Sequence, residues 1–244
     1  MLTVVELCDM LVSPSKFLED KMNKRRVIAL IMALAMVFAL CACTSDEDTK
    51  GTTQTGTSAS AEPEKSLELG SVAGGKYEND YFGFGCELDE NWTYATEEEL
   101  GSMIQSTADN FDDEDIKNNM LKADMFYDMV SYYSDGVTNI NVVVQNIGVM
   151  YGAVIDTDAI VDQAIKSLPD QLAAASMTSV SCDKITVDFA GQQCVAINMH
   201  NTVNGVDVYQ LQVYVKEGKY VAAVTFSSTL EDNIDIMRQF FYAV

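Results

Sequence analysis

SVSCDKITVDFAGQQCVAINMHNTVNGVDVYQLQVYVKEGKYVAAVTFS, residues 179–227, decides the fold. Apolar and polar residues alternate along it, which is the period of a strand with one face on a core. Three short turn signals, Ala190-Gly191, Asn204-Gly205 and Glu217-Gly218, cut it into four runs: Ser179–Phe189, Gln192–His200, Val206–Lys216 and Lys219–Ser227. Asn-Gly suits the type I′ turn, whose twist matches the strands it joins. The stretch therefore predicts a four-strand antiparallel meander. With Ala190-Gly191 as a turn, Cys194 stands opposite Val187 and not opposite Cys182, which argues against a Cys182–Cys194 bridge.

Upstream, Met125–Tyr133 and Thr138–Ile147 read as a strand pair joined around Asp135-Gly136, with Ile140, Val142 and Val144 on one face. Before it, Phe82, Phe84, Cys86 and Leu88 alternate with small or polar residues in a further strand, and Trp92 follows a turn. Thr96 with Glu99 three residues on is a capping box, and opens a helix with Leu100, Met103 and Ile104 on one side. A short helix starts in FDDED with Ile116, Met120 and Leu121 inward. Thr157 to about Ala175 is a long amphipathic helix with Val161, Ala164, Ile165, Leu168 and Leu172 as its stripe. Pro169 lies inside it and predicts a kink or break. Ser228 with Glu231 is read as the cap of a final helix carrying Leu230, Ile234, Met237, Phe240 and Phe241. The fold class is α+β: an antiparallel sheet of about six or seven strands flanked by helices.

The N-terminal part reads differently. MNKRRVIALIMALAMVFALCAC, residues 22–43, has a basic start at Lys24, Arg25 and Arg26. An apolar run, Val27–Leu40, follows, too short to span a bilayer, and small residues lead to a cysteine. The order is that of a bacterial lipoprotein export signal and resembles a lipobox. Two cysteines compete. Cys43 follows Leu40-Cys41-Ala42, with a small residue at the cut, whereas Cys41 follows bulky Leu40. Cys43 is the expected lipidation site. Two or more acyl chains give stable membrane attachment at about 0.8 kcal/mol per buried methylene. Residues 1–21 precede a signal that Met22 begins by itself, and are read as an upstream extension. The expected plan is 1–21 extension, 22–42 signal peptide, 43–75 anchor and Ser/Thr/Gly-rich flexible linker, and 76–244 a single globular domain.

Composition narrows the function. The chain has 244 residues, with 15 basic and 37 acidic. Of these, 5 and 4 lie in residues 1–42, leaving 10 against 33 and a net charge near −23. Such a surface repels phosphate backbones, so nucleic acid is excluded as a partner. Cys86, Cys182 and Cys194 are an odd set without metal-ligand spacing. The acids Asp112, Asp113, Glu114 and Asp115 lack the spacing and central Gly of a calcium loop, and suit a helix N-terminus. His200 is the sole histidine, ends a strand before a turn, and lies about 20 Å along that strand from Cys194. No GxSxG, HExxH or phosphate-binding glycine loop occurs. No catalytic, cofactor or metal residue is assigned. Tyr127, Tyr132, Tyr133 and Tyr151 are expected mainly to pack on the sheet, with a sugar- or protein-binding patch as the alternative.

Tyr77, Asn79, Phe82-Gly83-Phe84 and Trp92, followed by this element order, make residues 76–244 similar to the PsbP-like family of photosystem accessory proteins and small bacterial lipoproteins. A proline usual before that tryptophan is replaced by Glu90-Asn91. The resemblance implies an α/β/α sandwich and a protein that binds or assembles rather than catalyses. The expectation is a non-enzymatic protein, lipid-anchored on the extracytoplasmic face of the cell membrane, contacting an envelope protein or wall component. The alternatives are a carboxylate-based cell-envelope hydrolase and a solute-binding transporter lipoprotein, whose usual two-lobed build needs about twice this domain.

Overall fold

The computed structural model describes residues 66–109, 114–174, 177–203 and 205–244. Its centre is a seven-stranded antiparallel sheet in the order β4-β5-β6-β10-β9-β8-β7. The strands are β4 (Trp92–Tyr94), β5 (Met125–Tyr133), β6 (Asn139–Asn146), β7 (Thr178–Phe189), β8 (Gln192–Val203), β9 (Val206–Glu217) and β10 (Tyr220–Ser228). β7 to β10 form the predicted meander, and Val187 pairs with Cys194 as the turn placement requires. β10 then docks on β6, Val224 opposite Val142, and fuses the meander to the β5–β6 hairpin. The tight turns need left-handed backbone: φ is +48° at Ala190 and +77° at Gly191, the pair of positive angles that a type I′ turn demands.

A second, four-stranded sheet, β1-β2-β3-β11, lies outside the sequence expectation. It consists of β1 (Ser71–Ala73), β2 (Lys76–Asn79), β3 (Phe84–Glu87) and β11 (Phe241–Ala243). Two corrections follow. Ser71–Ala73, placed in the linker by composition, is a strand paired with β2, so the packed unit begins before Lys76. Phe241 is not helical. It pairs with Cys86 of β3 and packs against Phe84, Phe189 and Phe226. Three aromatic neighbours outweigh the helical spacing from Ile234 and Met237.

The helices are α1 (Glu97–Ala108), α2 (Glu114–Lys122), α3 (Val149–Val154), α4 (Thr157–Ala174) and α5 (Asp232–Arg238). The capping box of α1 forms: Glu99 N–H donates to Thr96 Oγ1 at 3.3 Å and Thr96 N–H to Glu99 Oε2 at 2.7 Å. Pro169 does not break α4, which runs through it. The ring removes one N–H, but Val161, Ala164, Leu168 and Leu172 stay buried in one stripe, each contributing up to about 1.5–3 kcal/mol for a side chain as large as Leu. Ser228 is not the cap of α5. It ends β10 and accepts from Leu230 N–H and Asn233 Nδ2, while α5 opens after Glu231 without a side-chain cap. Leu230 and Leu121, expected inward, are exposed. The Ile116 side chain lies outside the described residues.

Two cores result. One lies between the large sheet and α1, α2 and α4, the other between the opposite sheet face, the small sheet and α5. Helices thus stand on both sides of the large sheet, with the small sheet sharing the cover on the α5 side. Cys182 and Cys194 belong to opposite faces, opposite Met199 and Val187, so no bridge joins them. Cys86, Cys182 and Cys194 are free thiols.

Candidate functional site

Strand alternation puts Ser181, Asn198, His200 and Tyr209 on the α5 side of the sheet, at the end the small sheet leaves open. Ser181 pairs with His200 and His200 with Tyr209 across β7, β8 and β9. The last two rings stack with centroids 4.5 Å apart at 18°. Asp207 Oδ1 lies 2.9 Å from His200 Nε2. A carboxylate only accepts, so the proton sits on Nε2. Ile185, Val187 and Leu211 floor a groove of about 470 Å³, and Glu231, Ile234 and Asp235 wall it from α5 and its N-terminus. Arg238 fixes that wall, donating to the Asp188 carbonyl and to Asp235 Oδ1. The Tyr209 phenol is held above its ordinary range by burial, then by Asp207 and Glu231, so it stays a neutral hydrogen-bonding group.

Chemically the groove offers a stacking surface, an apolar floor and an acidic rim. It brings together residues from three strands and one helix, of which the sequence singled out His200 alone. Tyr209 was missed because alternation marks it only as one more strand aromatic. Its signal was its position across the NTVNG turn from His200. Cys194 is buried six residues away along β8 and does not reach the imidazole.

A second recess of about 270 Å³ lies between Trp92, Tyr133, Ile236 and Phe240, with Trp92 packed on Tyr133 at 5.3 Å. Tyr133 is thereby a packing residue. Tyr127 is buried and Tyr132 half-buried in the helix-side core, so these three serve the sheet. The Tyr151 side chain lies outside the described residues, as do Asp112, Asp113 and Cys43. Among the described residues no group of three or more His, Cys, Asp or Glu could hold a metal ion. Among them, too, no helix is long and apolar enough to cross a membrane.

One charged group escaped the sequence entirely. Asp128 is the extra residue of a bulge between Tyr127 and Met129 and is 7% exposed. Its carboxylate accepts from Gly70 N–H, Asn79 Nδ2 and Tyr77 Oη. With these donors in place it is a structural latch that ties β2 and the segment before β1 to β5.

No protein-family model matches the chain, and neither does any curated protein. Among solved structures, the fold is similar to the solution structure of cyanobacterial PsbP (CyanoP) from Synechocystis, at 12% identity and a TM-score of 0.44, over 72% of this chain and 99% of that one. It is also similar to a protein of Bacteroides thetaiotaomicron at 12% identity and a TM-score of 0.33, over 66% of this chain and 45% of that one. At these values the likenesses assign neither activity nor ligand.

Proposed function

We propose that the chain is a lipid-anchored binding protein on the extracytoplasmic face of a membrane, held there through Cys43 and without catalytic activity. The observation that carries the binding reading is the groove. His200 there is hydrogen-bonded to Asp207 and stacked on Tyr209, which supports a flat polar recognition surface. The anchor rests on the sequence of residues 22–43, and a PsbP-like domain belongs to the same proposal. The partner is an envelope protein or wall component presenting a flat or apolar group with a cationic neighbour, which suits an apolar floor under an acidic rim.

The test has two arms. Full-length chain expressed in a bacterial host is fed a palmitate analogue, beside Cys43→Ala. Label on the unmodified protein and none on the variant is expected; a water-soluble, unlabelled product overturns the anchor. Crosslinking in intact cells then compares Tyr209→Ala with the unmodified protein. Loss of the crosslinked species is expected, and its persistence removes the groove as the binding surface. The hydrolase reading keeps second place because Glu231 and Asp235 line the same groove and Asp207 is bonded to its His200. All three are exposed.

A further inference from the structure

The seven-stranded sheet ends in two unlike edges. β4 is three residues long, whereas β7 runs for twelve and pairs with β8 alone among the described strands. The two-residue turn at Ala190-Gly191 makes Phe189 and Gln192 its closing pair, and bonded and non-bonded pairs alternate along the ladder from there. Asp183, Ile185, Val187 and Phe189 therefore bond β8, while Cys182, Lys184, Thr186 and Asp188 turn their N–H and C=O groups outward. Arg238 agrees with that phase, since its guanidinium donates to the Asp188 carbonyl. This bond blunts one end of the edge, and the bulge between Ser179 and Ser181 blunts the other. Between them, the backbone groups of Cys182, Lys184 and Thr186 that face outward have no partner among the described residues.

The same stretch borders the groove. Side chains alternate between the faces of a strand, so Ser181, Ile185 and Val187 lie on the α5 side and line the groove. Lys184 lies on the α4 side, where Asp158 and Asp162 hold it at 2.6 and 2.8 Å. Asp183 shares the α5 side. Asp235 and Asp207 are paired with Arg238 and His200, whereas Asp183 and Glu231 are exposed and have no ion-pair partner among the described residues. Among those residues, no lysine or arginine lines the groove. An open backbone edge beside an apolar floor, with unpaired acids on the same face, is met by an extended peptide. Its main chain takes the edge and its alternate side chains take the face.

The geometry points to β7 as the acceptor of an added strand: a basic, extended segment of a partner protein pairs with residues 182–186 and lays alternate lysine or arginine side chains over Asp183 and Glu231. The inference rests on the groove as the binding surface and names what occupies it. Charge selects the occupant. Residues 43–244 carry a net charge near −23, so a second copy of this chain is repelled from the edge and a cationic segment is drawn to it.

The probe is a fluorescent seven-residue peptide of alternating lysine and valine, titrated with the full chain and read by anisotropy beside its glutamate–valine counterpart. The basic peptide is expected to bind about tenfold more tightly or better. Thr186→Pro removes an outward N–H and leaves the β7–β8 ladder whole. It should weaken binding about fivefold or more, the worth of one hydrogen bond, while Thr186→Ala leaves it unchanged. N-methylation of the peptide's valines, whose N–H groups face β7 when the lysines face the acids, should do the same to the unmodified protein, so the result does not depend on how the proline variant folds. Affinity that survives either change overturns the added strand, because charge alone then holds the peptide. No affinity for the basic peptide overturns it too, and a crosslinked species still lost in Tyr209→Ala would then keep the groove while discarding the strand.

Discussion

Tyr77 Oη donates a 2.5 Å hydrogen bond to Oδ2 of Asp128, 51 positions later, and the contact crosses from the small sheet to the large one. Gly70 N–H and Asn79 Nδ2 converge on the same carboxylate. The Tyr77 phenol is pushed well above its ordinary range, first by burial and then by Asp128. Asp128→Ala leaves two buried donors, Tyr77 and Asn79, and the half-buried Gly70 N–H without an acceptor and is expected to destabilise by about 3 kcal/mol; Tyr77→Phe, which removes one donor, by about 2 kcal/mol. Because both changes break one network, the double variant should lose less than their sum. Urea midpoints of the four proteins decide this, and strict additivity would refute the latch.

Alkaline pH should loosen the same region through Cys86. Burial raises that thiol from an ordinary 9.0 to about 12, so the folded state favours the neutral form. The unfolded chain loses the proton first. Stability from this group is therefore intact below pH 9 and declines as pH rises toward 12, at about 1.4 kcal/mol per unit. Cys182 and Cys194 are raised in the same direction by burial, then by Asp183 and Asp188 respectively, and steepen the fall. Cys86→Ala should lose less stability than the unmodified protein between pH 9 and 10, below the ordinary tyrosine value. Equal losses in the two proteins would show that the thiol is not the titrating group.

The meander and the hairpin were legible because alternation and turn residues act locally: Val187 opposite Cys194 follows from placing one turn. Thr96 with Glu99 was legible for the same reason. The small sheet was not. β1 is three residues of Ser, Val and Ala in polar surroundings, and β11 is three residues at the end of a helical pattern, so each is a strand only because a distant partner supplies the hydrogen bonds. Asp128 reads as a surface acid until Tyr77 and Asn79 are folded over it. The groove was half legible: His200 stood out by being unique, whereas Tyr209, Asn198 and Glu231 reach it by pairing and by helix packing that local pattern does not encode.

Placement of Cys182 and Cys194 on opposite sheet faces makes an intrachain bridge between them unattainable without unfolding, since bridged Cα atoms sit within about 7 Å and their Cβ vectors must converge. Under mild oxidation, peptide mapping should find no linked Cys182–Cys194 peptide. Alkylation of the folded protein at neutral pH should modify Cys182, which is half-buried, before buried Cys86 and Cys194. In denaturant all three should react together. A linked peptide, or Cys86 reacting first, would contradict the register.

Two helical glycines should respond to the same substitution with opposite signs. In α3, a Cβ at Gly152 would lie 2.7 Å from Lys219 Cα and 2.8 Å from the Gly218 carbonyl oxygen. Both are backbone atoms of the β9–β10 turn, which is itself fixed by Ile147 N–H donating to the Lys219 carbonyl. Nothing flexible can yield, so Gly152→Ala must move the helix off the turn, at a cost of about 1–3 kcal/mol. Gly101 in exposed α1 has open space where its Cβ would be, and alanine there lowers the entropy of the unfolded chain. Gly101→Ala should therefore gain about 0.5–1 kcal/mol. Urea midpoints of the two variants, taken side by side, separate close backbone approach from helix propensity. A stabilised Gly152→Ala would mean that α3 does not rest on the turn.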